Sequence, residues 1–176
     1  STAFKVRAVN DAPVINAIAT TLIEQTSTAA LTTTILVPFT DVDLTDIGHT
    51  ATITGVVASG VITGLALNQE ALRALMTLGM VTKASGSSNG SLNMNFSAPA
   101  AVLDYLAVGE KLTLAYTVAV NDGDGGVASK TFEVNITGTN DAPTITTIAG
   151  TTDVLGAVIE DAVVGTTLTD TGTITF

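Results

Sequence analysis

Apolar side chains in the second half of the chain recur at every other position. Leu112, Leu114, Tyr116, Val118 and Val120 alternate with Thr113, Ala115, Thr117 and Ala119, the period of two expected of a strand buried on one face. Phe132, Val134 and Ile136 repeat the pattern, with Glu133 and Asn135 facing out. Leu31, Thr33, Ile35, Val37 and Phe39 predict a further strand, and Ala51, Ile53 and Val57 another in the segment that follows His49. Short strands separated by turn residues predict an all-β sandwich.

Two stretches depart from that period. Ala71, Leu72, Leu75 and Met76 stand at helical spacing behind Asn68, a residue suited to capping, so the pattern predicts a short helix over Gln69 to Leu78. A second helical turn is expected around Pro99 to Leu106, and the Ser- and Gly-rich run from Lys83 to Ser91 reads as a hairpin tip or loop. The plain expectation is that both helical pieces plug an open end of the sandwich. The alternative is that they and the Ser/Gly loop form a ligand or receptor site, since binding often resides on such loops.

The chain also repeats itself. Asn10-Asp11-Ala12-Pro13 returns as Asn140-Asp141-Ala142-Pro143, an offset of 130 residues. Phe4-Lys5-Val6-Arg7 parallels Phe132-Glu133-Val134-Asn135, Ile15 and Ile18 parallel Ile145 and Ile148, Ile23-Glu24 parallels Ile159-Glu160, and Phe39 parallels Phe176. The expected organisation is the last strand of one repeat in residues 1–10, a complete repeat in 11–139, and a linker with the first strands of a third in 140–176. Such broken ends permit strand addition, the start of one molecule completing the end of another to give a head-to-tail fibre. Plain repeat edges are the simpler reading.

Of the 176 residues, 46% are hydrophobic, enough for a packed core, and no stretch has the apolar length that crossing a bilayer requires. Sixteen acidic against six basic residues give a net charge of −10, which repels nucleic acid and anionic membranes and favours cations. Cysteine is absent, which removes disulfides and thiolate metal sites and leaves another staple to be found. No signal-like segment opens the sequence, so the expectation is an interior piece of a longer chain.

Three acidic motifs bear on that staple: Asn10-Asp11 at the entrance, Asp41-Val42-Asp43 after the strand ending at Phe39, and Asp122-Gly123-Asp124-Gly125-Gly126 between the last two strands. In a sandwich with the usual connections, the entering chain, the loop after the second strand and the last hairpin emerge at one pole. Calcium takes six to eight oxygen ligands at about 2.3 to 2.6 Å from carboxylates, carbonyls and Asn side chains, and this pole offers that set. Clustered carboxylates lacking a cation repel one another, so metal binding and folding are expected to be linked. The plainer alternative for each motif is a hairpin turn or a Pro-stiffened linker. An EF-hand loop starting at Asp122 fails, because Gly126 stands where an oxygen ligand is needed and Val127 where glycine is.

Thr139-Asn140-Asp141-Ala142-Pro143 after a strand, the Asp122 to Gly126 hairpin, Asp41-Val42-Asp43 and Leu106-Ala107-Val108-Gly109-Glu110-Lys111-Leu112 together resemble the VCBS repeats of giant bacterial surface proteins and RTX-type adhesins. The resemblance covers essentially the whole chain. It implies an immunoglobulin- or cadherin-like Greek-key β-sandwich with short helical insertions, calcium between successive repeats, type I secretion and residence at the bacterial cell surface. By that likeness Asp41 and Asp43 serve the junction at Asn10 and Asp11, with Asp122 and Asp124 beside them. Glu24 serves the junction at Asn140 and Asp141, and Glu160 is its counterpart in the third repeat. Gln25 stands where the third repeat has Asp161, which weakens one ligand position.

Chemistry of other kinds finds little support. His49 is the only histidine, there is no phosphate-binding glycine loop, and no Trp stands ready to stack on a sugar beside paired carboxylates. No enzyme is expected. Aromatic residues make up 4% of the chain, which disfavours a strong protein-binding hot spot. The leading expectation is a calcium-stiffened spacer whose partners are neighbouring repeats, ahead of a module that binds a host or surface ligand.

Overall fold

The computed structural model describes residues 7–16, 18–24 and 29–142. Chain contacts group Ser1–Asn140 into one compact unit and Asp141–Phe176 into another. Glu160, Asp161 and the first strands expected of a third repeat lie outside the described residues, as do Phe4 to Val6.

The first unit is an all-β sandwich of two sheets. In chain order its strands are β1 (Val14–Ile15), β2 (Thr20–Ile23), β3 (Leu31–Thr40), β4 (Thr50–Gly60), β5 (Met76–Leu78), β6 (Thr82–Lys83), β7 (Asn89–Ala98), β8 (Lys111–Asn121) and β9 (Val127–Thr137). One sheet runs β1-β3-β7-β5, with β6 also on β7, and the other β2-β9-β8-β4. The entering chain pairs antiparallel with β3 through β1, then crosses over and runs parallel to β9 through β2. Strand order and this crossover are those of an immunoglobulin-like Greek key.

Alternation along the strands builds the core. Leu31, Ile35, Val37 and Phe39 of β3 meet Leu112, Leu114, Tyr116, Val118 and Val120 of β8 and Phe132, Val134 and Ile136 of β9 in one buried cluster. Phe96 of β7 meets the Tyr116 ring edge-on at 6.5 Å, the geometry that the ring quadrupole favours.

Two sequence expectations need correction. Val57 does not face the core. The β4–β8 register slips between Ile53 and Gly55, and this bulge moves the buried phase by one residue, leaving Val56 5% and Val57 64% exposed. The helix expected to reach Leu78 is α1, Gln69–Ala74, capped as predicted by the Asn68 side chain accepting from Ala71 N–H at 2.8 Å. Met76 to Leu78 instead pair with Phe96 to Met94, because an open edge of β7 offers these residues a ladder that a further helical turn would forgo. The Ser/Gly run is the tip of a hairpin, one of the two forms expected: Thr82 and Lys83 form β6, which pairs antiparallel with the start of β7 at Gly90 and Ser91. β7 itself, with Leu92, Met94, Phe96 and Ala98 buried in alternation, is a central strand that sequence reasoning missed. The second helical piece is a single 3-10 turn, Ala100–Val102.

Candidate metal centre

Strands β3 and β8 end, and β4, β9 and β1 begin, at the same end of the sandwich. Residues far apart in sequence therefore converge there. Asn10 Nδ2 donates to Asp122 Oδ2 at 3.0 Å, and Asp11 N–H donates to Asp43 Oδ2 at 2.7 Å. Carboxylate oxygens of Asp41, Asp46 and Asp122 lie within 4.8 Å of one another. Asp41 and Asp122 are each 1% exposed.

Local turns aim these groups. Asp41 Oδ1 accepts from Asp43 N–H at 2.8 Å, an Asx turn that bends the chain away from β3. Asp122 Oδ1 accepts from the N–H groups of Asp124 at 2.7 Å and Gly126 at 3.0 Å. Gly126 sits so close to this carboxylate and to Ala12 that a methyl group there would overlap Asp122 Oδ2, which is why the hairpin requires glycine at this point. Asp124 itself is exposed at the rim.

The carboxylates are not electrostatically alike. Burial alone would raise the pKa of Asp122, but hydrogen bonds from Asn10 and from the Asp124, Gly126 and Gly125 backbone outweigh it and hold the group below the ordinary carboxylate value. Asp46 moves the other way, pushed up by burial and by the negative charges of Asp124, Asp43, Asp41 and Asp122. Its Oδ2 is buried and accepts no hydrogen bond. Sequence reasoning passed over Asp46, although it is the third acid in Asp41-x-Asp43-x-x-Asp46 and the spacing was visible.

His49 is buried and structural in its contacts. Its Nε2 lies 2.8 Å from Asp41 Oδ2, within hydrogen-bond distance. The imidazole stacks at 5.1 Å on Phe39. The Ser/Gly run is tied to the same end of the molecule: Gly86 N–H donates to Leu44 O, Asp41 N–H donates to Ser88 O, both at 2.8 Å, and Lys83 Nζ donates to the carbonyls of Asp43 and Asp46, both at 2.7 Å.

At the opposite end of the same unit, Glu24 is buried at the close of β2, and its Oε2 accepts from Thr139 N–H at 2.9 Å. A carboxylate oxygen of Asp104 lies within 4.8 Å of one from Glu24. Asp104 follows the 3-10 turn and carried no sequence signal. Asn140 and Asp141 come next along the chain after Thr139, both exposed, with Asp141 opening the second unit.

Oxygen donors from carboxylates on these turns suit a hard divalent cation of the size of calcium. Zinc fits poorly, because the chain has no cysteine and its one imidazole is turned to Asp41.

No family model matches the sequence, and a search of curated proteins finds no match. Among solved structures, the chain is similar to the ASH/PapD-like domain 7 of human CEP192, at 11% identity and a TM-score of 0.46, covering 81% of this chain and 98% of that one. It is also similar to the CooA pilin subunit from enterotoxigenic Escherichia coli, at 12% identity and a TM-score of 0.47, covering 75% of this chain and 99% of that one. Strand order and register carry the fold assignment independently of both.

Proposed function

We propose that this chain is a calcium-binding structural repeat of a secreted bacterial surface adhesin of the VCBS kind, and that it acts as a rigid extender between cell and adhesive tip. The observation that carries the reading is the triad of Asp41, Asp46 and Asp122, whose oxygens crowd within 4.8 Å while Asp46 Oδ2 is buried without a hydrogen bond. Such a cluster repels itself at neutral pH, and a divalent ion turns that repulsion into attraction. Asn10 and Asp11 carry the entering chain into the same cluster, so an ion there would fix the direction from which a preceding repeat arrives. Recurrence of Asn-Asp-Ala-Pro after 130 residues supports an array of such units. Glu24 and Asp104 offer the beginning of a similar oxygen set at the far end.

Thermal unfolding in calcium and then in excess chelator tests the reading. At a hundredfold excess over Kd, calcium adds about 2.7 kcal/mol, which for a domain of this size is a Tm rise on the order of 10 °C. An unchanged Tm, together with no calcium uptake by titration, would reduce the acidic loops to ordinary turns.

A further inference from the structure

The ammonium of Lys83 is placed where an acidic loop would normally be expected to form an ion pair, yet it bonds carbonyl oxygens. Lys83 belongs to β6, and its pairing with Gly90 of β7 fixes the backbone from which the side chain starts. Half-buried, the side chain runs to the turn at Asp43 to Asp46 and donates to the carbonyl of Asp43 and to that of Asp46, each at 2.7 Å. The turn's own bond, from Asp46 N–H to Asp43 O, is longer at 3.2 Å. Between these two carbonyls, Leu44 O accepts from Gly86 N–H at 2.8 Å. Three of the four carbonyls from Asp43 to Asp46 are thus directed to the segment 83–86, which leaves the Asp46 carboxylate, with its unbonded Oδ2, beside Asp41 and Asp122. Charge-assisted bonds from an ammonium are stronger than neutral ones, so this clamp dominates the short, exposed turn.

We infer that Lys83 is a positioning residue of the metal pole: by bridging the carbonyls of Asp43 and Asp46, it holds the turn that presents the Asp46 carboxylate to those of Asp41 and Asp122. The inference rests on this pole being the calcium site. Its consequence opposes simple electrostatics. A positive charge beside a cation site repels the ion, so removing it should tighten binding through the field alone, more so at low salt. Loss of the clamp weakens binding instead, because the ion must then order the turn itself. Groups that orient metal ligands in this way typically change affinity by about 10- to 100-fold.

Calcium titrated calorimetrically into the stripped full chain, at about 50 mM and about 500 mM NaCl, separates the two. The expected result is a Kd at least about tenfold weaker for Lys83→Met at both salt concentrations, with Lys83→Arg staying much closer to the unsubstituted protein. In an Asp46→Asn background the same Lys83→Met change should add little, since both act through one carboxylate, whereas a general loosening of the fold would add in full. Equal or tighter binding by Lys83→Met overturns the positioning role and leaves the calcium site standing. Absence of calcium binding by the unsubstituted chain overturns both. Should Lys83→Met not fold, Lys83→Gln and Lys83→Arg give the same comparison: tighter binding by the Gln variant sinks the inference, tighter binding by the Arg variant supports it.

Discussion

Asp46 and Asp122 sit in one cluster with oppositely displaced acidities, and that difference gives the metal-free protein a defined response to pH. Asp46 has its folded pKa raised above the unfolded value of 3.8, so the folded state holds that proton more tightly than the unfolded chain does. Its contribution is fully present below about pH 4 and is lost as pH rises through the folded pKa. Asp122 is lowered, so it stabilises above its unfolded value and that stability is lost only as pH falls through its depressed folded pKa. In chelator, then, Tm should drop as pH is raised above about 4 and through the folded pKa of Asp46, and both calcium and Asp46→Asn should remove the drop. Asp46→Asn is further expected to raise Tm in chelator while shrinking the rise that calcium brings. A variant that lowers Tm equally with and without calcium would remove Asp46 from the site. The spacing of Asp41, Asp43 and Asp46 was legible in the sequence; that the buried Oδ2 of Asp46 is left without a donor was not, because donors to Asp41 and Asp122 come from backbone turns and from Asn10, 112 residues away from Asp122.

Elements hold these residues in place through a few close approaches. Gly90 of β7 stands opposite Phe39 of β3, and the ring covers it so closely that a methyl group would overlap Phe39 Cζ. Gly90→Ala should therefore cost about 1 to 3 kcal/mol, read as a lowered denaturant midpoint with an unchanged slope. Tyr116 of β8 donates to Leu72 O of α1 at 2.8 Å, and burial raises its phenol pKa well above the ordinary value. Tyr116→Phe should cost about 1 kcal/mol and leave calcium affinity untouched, since Leu72 O keeps a helical partner in Leu75 N–H. Period-two alternation made β3 and β8 readable with nearly their observed limits and the second half of β9, which begins earlier, at Val127. It misled at β4, where one extra residue in the bulge reversed the facing of Val56 and Val57. It misled again at Met76, where helical spacing and strand pairing competed over the same residues and the edge of β7 decided.

Across the whole chain, a net charge of −10 is gathered partly into the loops at one end of the sandwich. Raising NaCl from about 10 mM to about 500 mM should therefore raise Tm appreciably in chelator and only slightly in calcium, because the Debye length falls below the spacing of the exposed acids while the bound ion has already cancelled the closest repulsions. A salt response that is the same in both conditions would count against an ion in the acidic cluster. The sequence by itself determined the all-β class, the core strands β3, β8 and β9 and the acid-rich character of three loops, since each depends on residues close in the chain and on the two-residue period of an extended backbone. The usual connections of a sandwich already led the sequence reading to expect Asn10, Asp41 and Asp122 at one pole; only the tertiary structure decided that Asp46 joins Asp41 and Asp122 there, that Lys83 reaches across to the turn at Asp43, and that Asp104 approaches Glu24. Those juxtapositions follow from strand order and register, which are set by how two sheets bury their apolar faces together and leave no local trace in the sequence.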